Sequence, residues 1–392
     1  MKVLDLFCGC GGLSLGFEQA GFQIVGGIDN NPDAVATFQH NFPNSIAIDA
    51  DLENLTIKEV EDKITDIKGV EVLIGGPPCQ GFSSANRWTH ETDDRRNRLF
   101  LAFVEFVDQI QPKVVVIENV KGIITEDNGY AKNRIYELFE SRGYEVNHKI
   151  LDAKNYNVPQ NRERNFFVMM KDVKFDFSSI EKHKRAPTVG EALRELYTLE
   201  KTPLENLTVA EIKQLLRKEG LRVSGKKSEL IARLKNAGVN NKVDTHILKS
   251  KPRTKYQKYL RAENNKITNH PTPYYPHKST QLKISHVPQG ENWKAVPKRL
   301  WPTIRNNRHS SAYRRLHEDQ QSCTIDTGNT HSNYYHPIFN RIPSPREAAR
   351  LQSFPDNFYL TGKRTPQYIQ VGNAVPPLMA KSLAQAITEV FQ

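Results

Sequence analysis

Through the first 170 residues, short apolar runs rich in β-branched side chains alternate with longer stretches whose apolar positions recur at helical spacing. The short runs predict strands over 3–7, 24–28, 70–74, 114–117 and 165–170. The longer stretches predict helices from Gly12 to Gly21 and over 31–42, 99–110 and 134–142. Strands alternating with helices imply βαβ units and an α/β fold, a Rossmann-like, mainly parallel sheet with helices on both faces. Ligands of such sheets sit at the carboxyl ends of the strands. The segments from Asp5 to Gly12 and from Gly75 to Cys79, together with Asp29 and Glu118, all fall at that edge.

Beyond residue 170 the regular pattern fades. Residues 204–238 are an exception: Thr208 and Glu211 have capping-box spacing, and Ile212, Leu215 and Leu216 follow at helical intervals. Gly220 ends that helix, and Leu230, Ile231 and Leu234 mark the apolar face of a second. Regular structure resumes after Pro343 and ends in an amphipathic helix over 377–391.

Charge sharpens this division. Residues 1–170 hold 25 acidic against 17 basic side chains, whereas 171–340 hold 16 against 32. Within 241–310 the ratio is 3 to 15, interleaved with tyrosine and tryptophan. An acidic part suited to a cationic or neutral small molecule is thus joined to a basic part suited to a polyanion. No run approaches the roughly 18 apolar residues of a membrane span, and the first residues lack a signal peptide's apolar core. A cytoplasmic protein is expected. Four cysteines in 392 residues exclude a disulfide scaffold.

The turn Asp5-Leu-Phe-Cys-Gly-Cys-Gly-Gly joins a strand to a helix, where glycines let backbone approach a ligand. It is neither a dinucleotide fingerprint nor a phosphate loop, because Ser14 stands where the third glycine would be and no lysine follows. Asp29, 20 residues after Gly9, suits a ribose diol. Cys8 and Cys10 lack partners at metal spacing and read as structural. Gly75-Gly-Pro-Pro-Cys79-Gln80 holds a cysteine in a rigid turn. A lone cysteine is commonly a small buried hydrophobe. One behind two prolines at a strand end, with Glu118, Arg162 and Arg164 on the same rim, is better read as a nucleophile. The arginines would either lower its pKa or hold a substrate oxygen.

These motifs, in order and nearly end to end, resemble those of the DNA (cytosine-5)-methyltransferases. Asp5 to Gly12 resembles the first motif, Asp29 the second, Asp51 the third, and Pro77-Pro-Cys79-Gln80 the catalytic loop. Glu118-Asn-Val, Gln160-Asn-Arg162-Glu-Arg164, the Arg341–Pro355 stretch and Gly372-Asn373-Ala374-Val-Pro follow. The resemblance implies transfer of a methyl group from S-adenosylmethionine to carbon 5 of a cytosine flipped out of duplex DNA, without a metal. It assigns Cys79 as nucleophile, Glu118 to N3 and the exocyclic amine, and Arg164 to O2 with Arg162 in support. It places Phe7, Gly9, Cys10, Gly11, Gly12, Asp29, Asn30, Asp51, Pro77, Leu99, Asn373 and Ala374 around the cofactor. Gln80, Ser83 and Arg96 match positions that touch DNA.

The expected domains are a catalytic domain, 1–175, completed by 341–392, and a target recognition region, 241–340. Between them, 204–238 resembles a SAP motif, a two-helix DNA-binding module, with Arg222, Lys226 and Lys227 at the start of its second helix. The bland alternative is a helical hairpin that only packs on its host. The implied setting is a restriction–modification system on the bacterial or archaeal nucleoid, with a cognate endonuclease for the same site. Two rivals stand beside this reading: an RNA substrate, and a catalytically dead DNA-binding scaffold.

Overall fold

The computed structural model describes residues 1–65, 67–78, 95–200, 204, 207–237, 245–262, 265–270, 275–302, 313–327 and 334–391. Its first part runs β1 (Lys2–Leu6), α1 (Gly12–Gln19), β2 (Gln23–Asp29), α2 (Pro32–Asn41), β3 (Ile46–Asp49) and α3 (Ile57–Glu61). Then follow β4 (Val70–Gly75), α4 (Arg95–Ile110), β5 (Val114–Val120), α5 (Tyr130–Glu140), β6 (Tyr144–Asp152) and β7 (Glu163–Lys171). Among the described residues these strands form one sheet in the order β3-β2-β1-β4-β5-β7-β6. The first five are parallel, and β7 runs antiparallel to both β5 and β6.

The sheet separates two apolar layers. Val3, Val72, Ile74, Val114 and Val116 face Phe17 of α1 and Phe38 of α2. Leu4, Leu73, Val115 and Ile117 face Val60 of α3, Phe103 of α4 and Phe139 of α5. The central strands are covered on both sides, so their sequences read as unbroken apolar runs; all four residues from Val114 to Ile117 are fully buried. β3 and β6, which the pattern did not predict, are the two edge strands. Only one flank of each is paired and only a minority of their side chains are buried, which dilutes the apolar signal. Helix α5 starts at Tyr130 and α4 at Arg95, each four residues ahead of expectation.

After α6 (Val189–Leu193) come α7 (Val209–Lys218) and α8 (Lys227–Asn236). The capping box is present: Glu211 N–H donates to Thr208 Oγ1, and Thr208 N–H donates to the Glu211 carboxylate at 2.7 Å. Leu204, Ile212, Leu216, Leu230 and Leu234 form a buried cluster, bordered by Leu207, Leu215, Leu221, Val223 and Ile231. All of these belong to the hairpin or its entry, so it carries a small core of its own.

The basic middle contributes α9 (Lys255–Arg261) and α10 (Lys278–Ser285), and the chain closes with α11 (Pro345–Leu351), α12 (Arg364–Asn373) and α13 (Pro377–Glu389). Helix α13 lies against α1, its Met379, Leu383 and Ile387 entering the same layer as Phe17. Three arginines of this region are fully buried. Arg341 donates to both oxygens of Glu347, at 2.7 and 2.8 Å, and to Glu200. Arg350 pairs with Asp356, and Arg346 donates to the carbonyls of Thr268 and Pro355. A buried ion pair that loses one member leaves an uncompensated charge, so this frame rigidly ties 195–200 and 268 to the segment 341–358.

Candidate active site

The β1–α1 turn is built for close approach. Gly11 has φ +92°, a region that side chains disfavour, and a Cβ there would lie 2.5 Å from the Phe42 ring. A Cβ on Gly12 would lie 2.4 Å from the carbonyl oxygen of Val375. The turn therefore sits directly against the loop between α12 and α13. Between them opens a cavity of about 390 Å³ at the carboxyl ends of the parallel strands. Of the residues expected around a cofactor, Phe7, Gly9, Cys10, Gly12, Asp29, Asn30, Asn373 and Ala374 line it.

Asp29 is fixed at the end of β2. Its Oδ2 accepts the Gly9 N–H and its Oδ1 accepts the Asn31 N–H, both at 2.9 Å. Burial pushes its carboxyl pKa up, and these backbone donors pull it partly back. Asn31 is itself held as the cap of α2, accepting from the amides of Asp33 and Ala34.

Four of the expected residues are not among the described lining. Gly11 turns toward Phe38 and Phe42. Asp51 caps the short turn Leu52–Asn54 by accepting the Glu53 N–H. Pro77 receives the Asn119 side-chain amide on its carbonyl at 2.8 Å. Leu99 is buried on α4 beside Phe100. The cavity is also lined by Asp5, Gly76 and Glu118, which the sequence places at this edge without assigning them to a cofactor, and by Asn31 and Gln370, which it does not single out. Glu118 matters most, because it puts an expected catalytic residue in the same cavity as residues expected around a cofactor.

The register of β5 against β7 explains the pairing at that end. Glu118 lies opposite Phe166 and Val120 opposite Arg164, so Glu118 and Arg164 are diagonal neighbours on the same face. Arg164 Nε stands 3.0 Å from Glu118 Oε1, and both side chains are largely buried. Burial raises the Glu118 pKa, opposed by the positive charges of Arg164 and Arg162.

Arg162, expected in support of Arg164, is held away from solvent by backbone. It is buried, and its two terminal nitrogens donate to the carbonyls of Ile325, at 2.9 Å, and Gly372, at 3.1 Å. Burial and the neighbouring Arg164 lower its pKa to about 9. Its position is that of a brace between β7, the end of the basic middle and the wall of the cavity.

Cys79, Gln80 and Ser83 lie outside the described residues. Arg96 falls in the first turn of α4, and its side chain is likewise outside them. On the hairpin, Arg222 and Lys226 are exposed and Lys227 partly so. Arg222 Nε donates to Ser224 Oγ at 2.6 Å, and the Lys226 N–H donates to Glu229.

Comparison with known proteins adds a family. The family model described as C-5 cytosine-specific DNA methylase matches residues 1–389. Type II methyltransferase M.DdeI of Desulfomicrobium norvegicum is 32% identical over all of this chain and 89% of its own length. Type II methyltransferase M1.HphI of Haemophilus parahaemolyticus is 34% identical, again over the whole chain and 87% of the relative. Among solved structures, an Escherichia coli prophage protein described as a DNA modification methyltransferase superposes with a TM-score of 0.72 at 25% identity, over 100% of this chain and 99% of that one.

Proposed function

The chain belongs to the C-5 cytosine-specific DNA methylases, enzymes that move a methyl group from S-adenosylmethionine to carbon 5 of a cytosine in DNA, and on that premise we propose how its residues divide the work. The observation that carries the proposal is the shared cavity: Glu118, paired with Arg164, lines the same space as Asp29 and the Gly9–Gly12 turn. A methyl donor held at one end is thereby adjacent to a base held at the other.

The cavity suits a cationic nucleoside. Its described lining contains three carboxylic acids, Asp5, Asp29 and Glu118, and no lysine, arginine or histidine. Asp29, fixed by Gly9 and Asn31, retains acceptor capacity for a ribose diol. Asn373 and Ala374 close the wall opposite the turn. When bound, S-adenosylmethionine supplies an electrophilic methyl group on a sulfonium.

Carbon 5 of cytosine is a weak nucleophile. The Cys79 thiolate adds to carbon 6, forming a C–S bond and placing electron density on carbon 5. Glu118, held by Arg164, hydrogen-bonds N3 and the exocyclic amine and so stabilises the adduct. Its raised pKa favours sharing a proton with N3. Arg164 also reaches O2 of the base. After methylation the carbon-5 proton leaves, and elimination restores Cys79. A stacked base cannot reach such a site, so the cytosine flips out, at a cost of a few kcal/mol.

Residues 241–340 read the target, with basic and aromatic side chains together suiting phosphate contact and groove insertion. Ser83 and Arg96, and on the hairpin Arg222, Lys226 and Lys227, contact backbone phosphate; the hairpin's own core supports an independent module. The biological setting is a restriction–modification system in which an endonuclease cuts the same site when unmethylated. Bisulfite sequencing of plasmid DNA from cells expressing the protein tests this reading. One short sequence motif should be protected at a single cytosine, and protection should vanish with Cys79→Ser.

A further inference from the structure

Asp5 is the one acid of the cavity without a use in the account above. It lies within the buried stretch of β1, next to its last residue Leu6, and is 1% exposed. One oxygen, Oδ2, accepts the Ser14 hydroxyl of α1 at 2.5 Å. The other, Oδ1, is buried with no hydrogen-bond partner among the described residues, although Asp5 lines the cavity. A buried carboxylate oxygen without a partner is costly, and sites that keep one commonly answer to a ligand. β1 lies between β2, whose end carries Asp29, and β4, which leads to Gly76 and is followed in the sheet by β5, which carries Glu118. Asp5 therefore sits between the ribose end and the methyl-transfer end, where the sulfonium of a donor bridging them must lie.

We propose that Asp5 reads the positive charge of the methyl donor: with no cation in the cavity its carboxyl keeps a proton, and seating a sulfonium beside it drives that proton out to solvent. The inference rests on the placement of the cofactor in this cavity. Only an O–H bond breaks, and the proton passes to bulk buffer. Transfer of the methyl group leaves a neutral thioether, so Asp5 takes a proton back and the product loses its hold. The cavity thus separates donor from product by charge, although the two differ by one methyl group.

The surroundings support a proton on Asp5 in the free protein. Burial pushes its pKa up to about 8, with Asp29 adding to the rise and Ser14 opposing it. The titratable groups around it are Cys8 and Cys10 of the turn, Asp29 from β2 and Glu118 from β5, none of them cationic. The α12 residues on the opposite wall, Ile369, Gln370 and Asn373, do not titrate.

The test is calorimetric titration of the full chain, without DNA, in two buffers of different ionisation enthalpy. S-adenosylmethionine at pH 7 should release about 0.9 proton, the fraction protonated for a group of pKa about 8, and S-adenosylhomocysteine close to none. Asp5→Asn should abolish the release and shrink the donor-to-product affinity ratio by about a hundredfold, because near-complete release at pH 7 needs the bound acid to be about a thousandfold stronger, of which about tenfold is offset by deprotonating the free acid. Ser14→Ala removes an opposing donor but keeps the acid, so the pH of half-maximal release should rise. Equal release with both ligands, or release persisting in Asp5→Asn, would overturn the proposal. Donor binding that ignores Asp29→Ala would instead overturn the placement of the cofactor. Binding that needs Asp29 but releases no proton would fail Asp5 alone.

Discussion

Arg164 and Glu118 meet across the antiparallel pair β5–β7, Nε to Oε1 at 3.0 Å, where Glu118 lines the cavity at the strand ends. The pair needs β7 to run against the sheet. Reversal lets an arginine at a strand's beginning stand beside a carboxylate at its neighbour's end.

Glu118→Gln keeps the shape and removes the acid. Turnover should fall by ~10²–10⁴, the usual worth of a positioned acid–base group. Cofactor affinity should change far less, because Asp29 and the Gly9–Gly12 turn are untouched. Single-turnover methylation and equilibrium cofactor binding, measured side by side, check the split. Equal losses in both would reassign Glu118 to cofactor binding.

Arg162→Ala should act on stability first. The substitution strands the Ile325 and Gly372 carbonyls in a buried site, at about 1–3 kcal/mol for each unsatisfied group. Denaturant unfolding should show the loss, while Arg164→Ala, at a more exposed position, should cost less stability and more turnover. The reverse order would place Arg162, rather than Arg164, at the base.

How much of this was legible beforehand follows burial. β5 was readable because both of its faces are covered, whereas β3 and β6 were lost because edge strands mix polar and apolar positions. Glu118 and Arg164 were legible as motif residues, but their contact depends on strand direction, which local pattern does not encode. Asp5 hid as one acid in an apolar strand. Its meaning appears only once Ser14 and the cavity lie beside it. Arg162 was legible as a supporting residue, but the carbonyls it holds, of Ile325 and Gly372, lie far along the chain and leave no local sign.

The cofactor-free protein should lose stability as pH rises, partly through Asp5. A carboxyl raised from 3.8 to about 8 on folding favours the folded state fully below pH 3.8, and that contribution is lost as pH climbs through about 8. Asp5→Asn should flatten the stability profile across that window and stabilise the free protein at its upper end. Thermal melts from pH 5 to 9 decide it; parallel profiles for the two proteins would contradict a proton on Asp5.

Removing residues 203–240 and joining the ends with a short Gly/Ser linker should leave the target sequence unchanged, because the hairpin's core is its own. If Arg222, Lys226 and Lys227 each neutralise one phosphate, the slope of log affinity against log salt should shrink by about 2.7, from ~0.9 per contact. Salt titrations on target and non-target duplexes measure it. An unchanged slope would make the hairpin a packing element, and a changed target would make it a base reader.

The most direct test of the account is covalent trapping on duplex DNA with 5-fluorocytosine at the target position and S-adenosylmethionine present. Fluorine replaces the proton that must leave carbon 5, so elimination fails and the Cys79 bond to carbon 6 should persist. A denaturation-resistant adduct, mapped by peptide mass spectrometry to Cys79 and absent in Cys79→Ser, is the expected result. Methylation of ordinary target DNA by Cys79→Ser at a rate near that of the unaltered protein would contradict it.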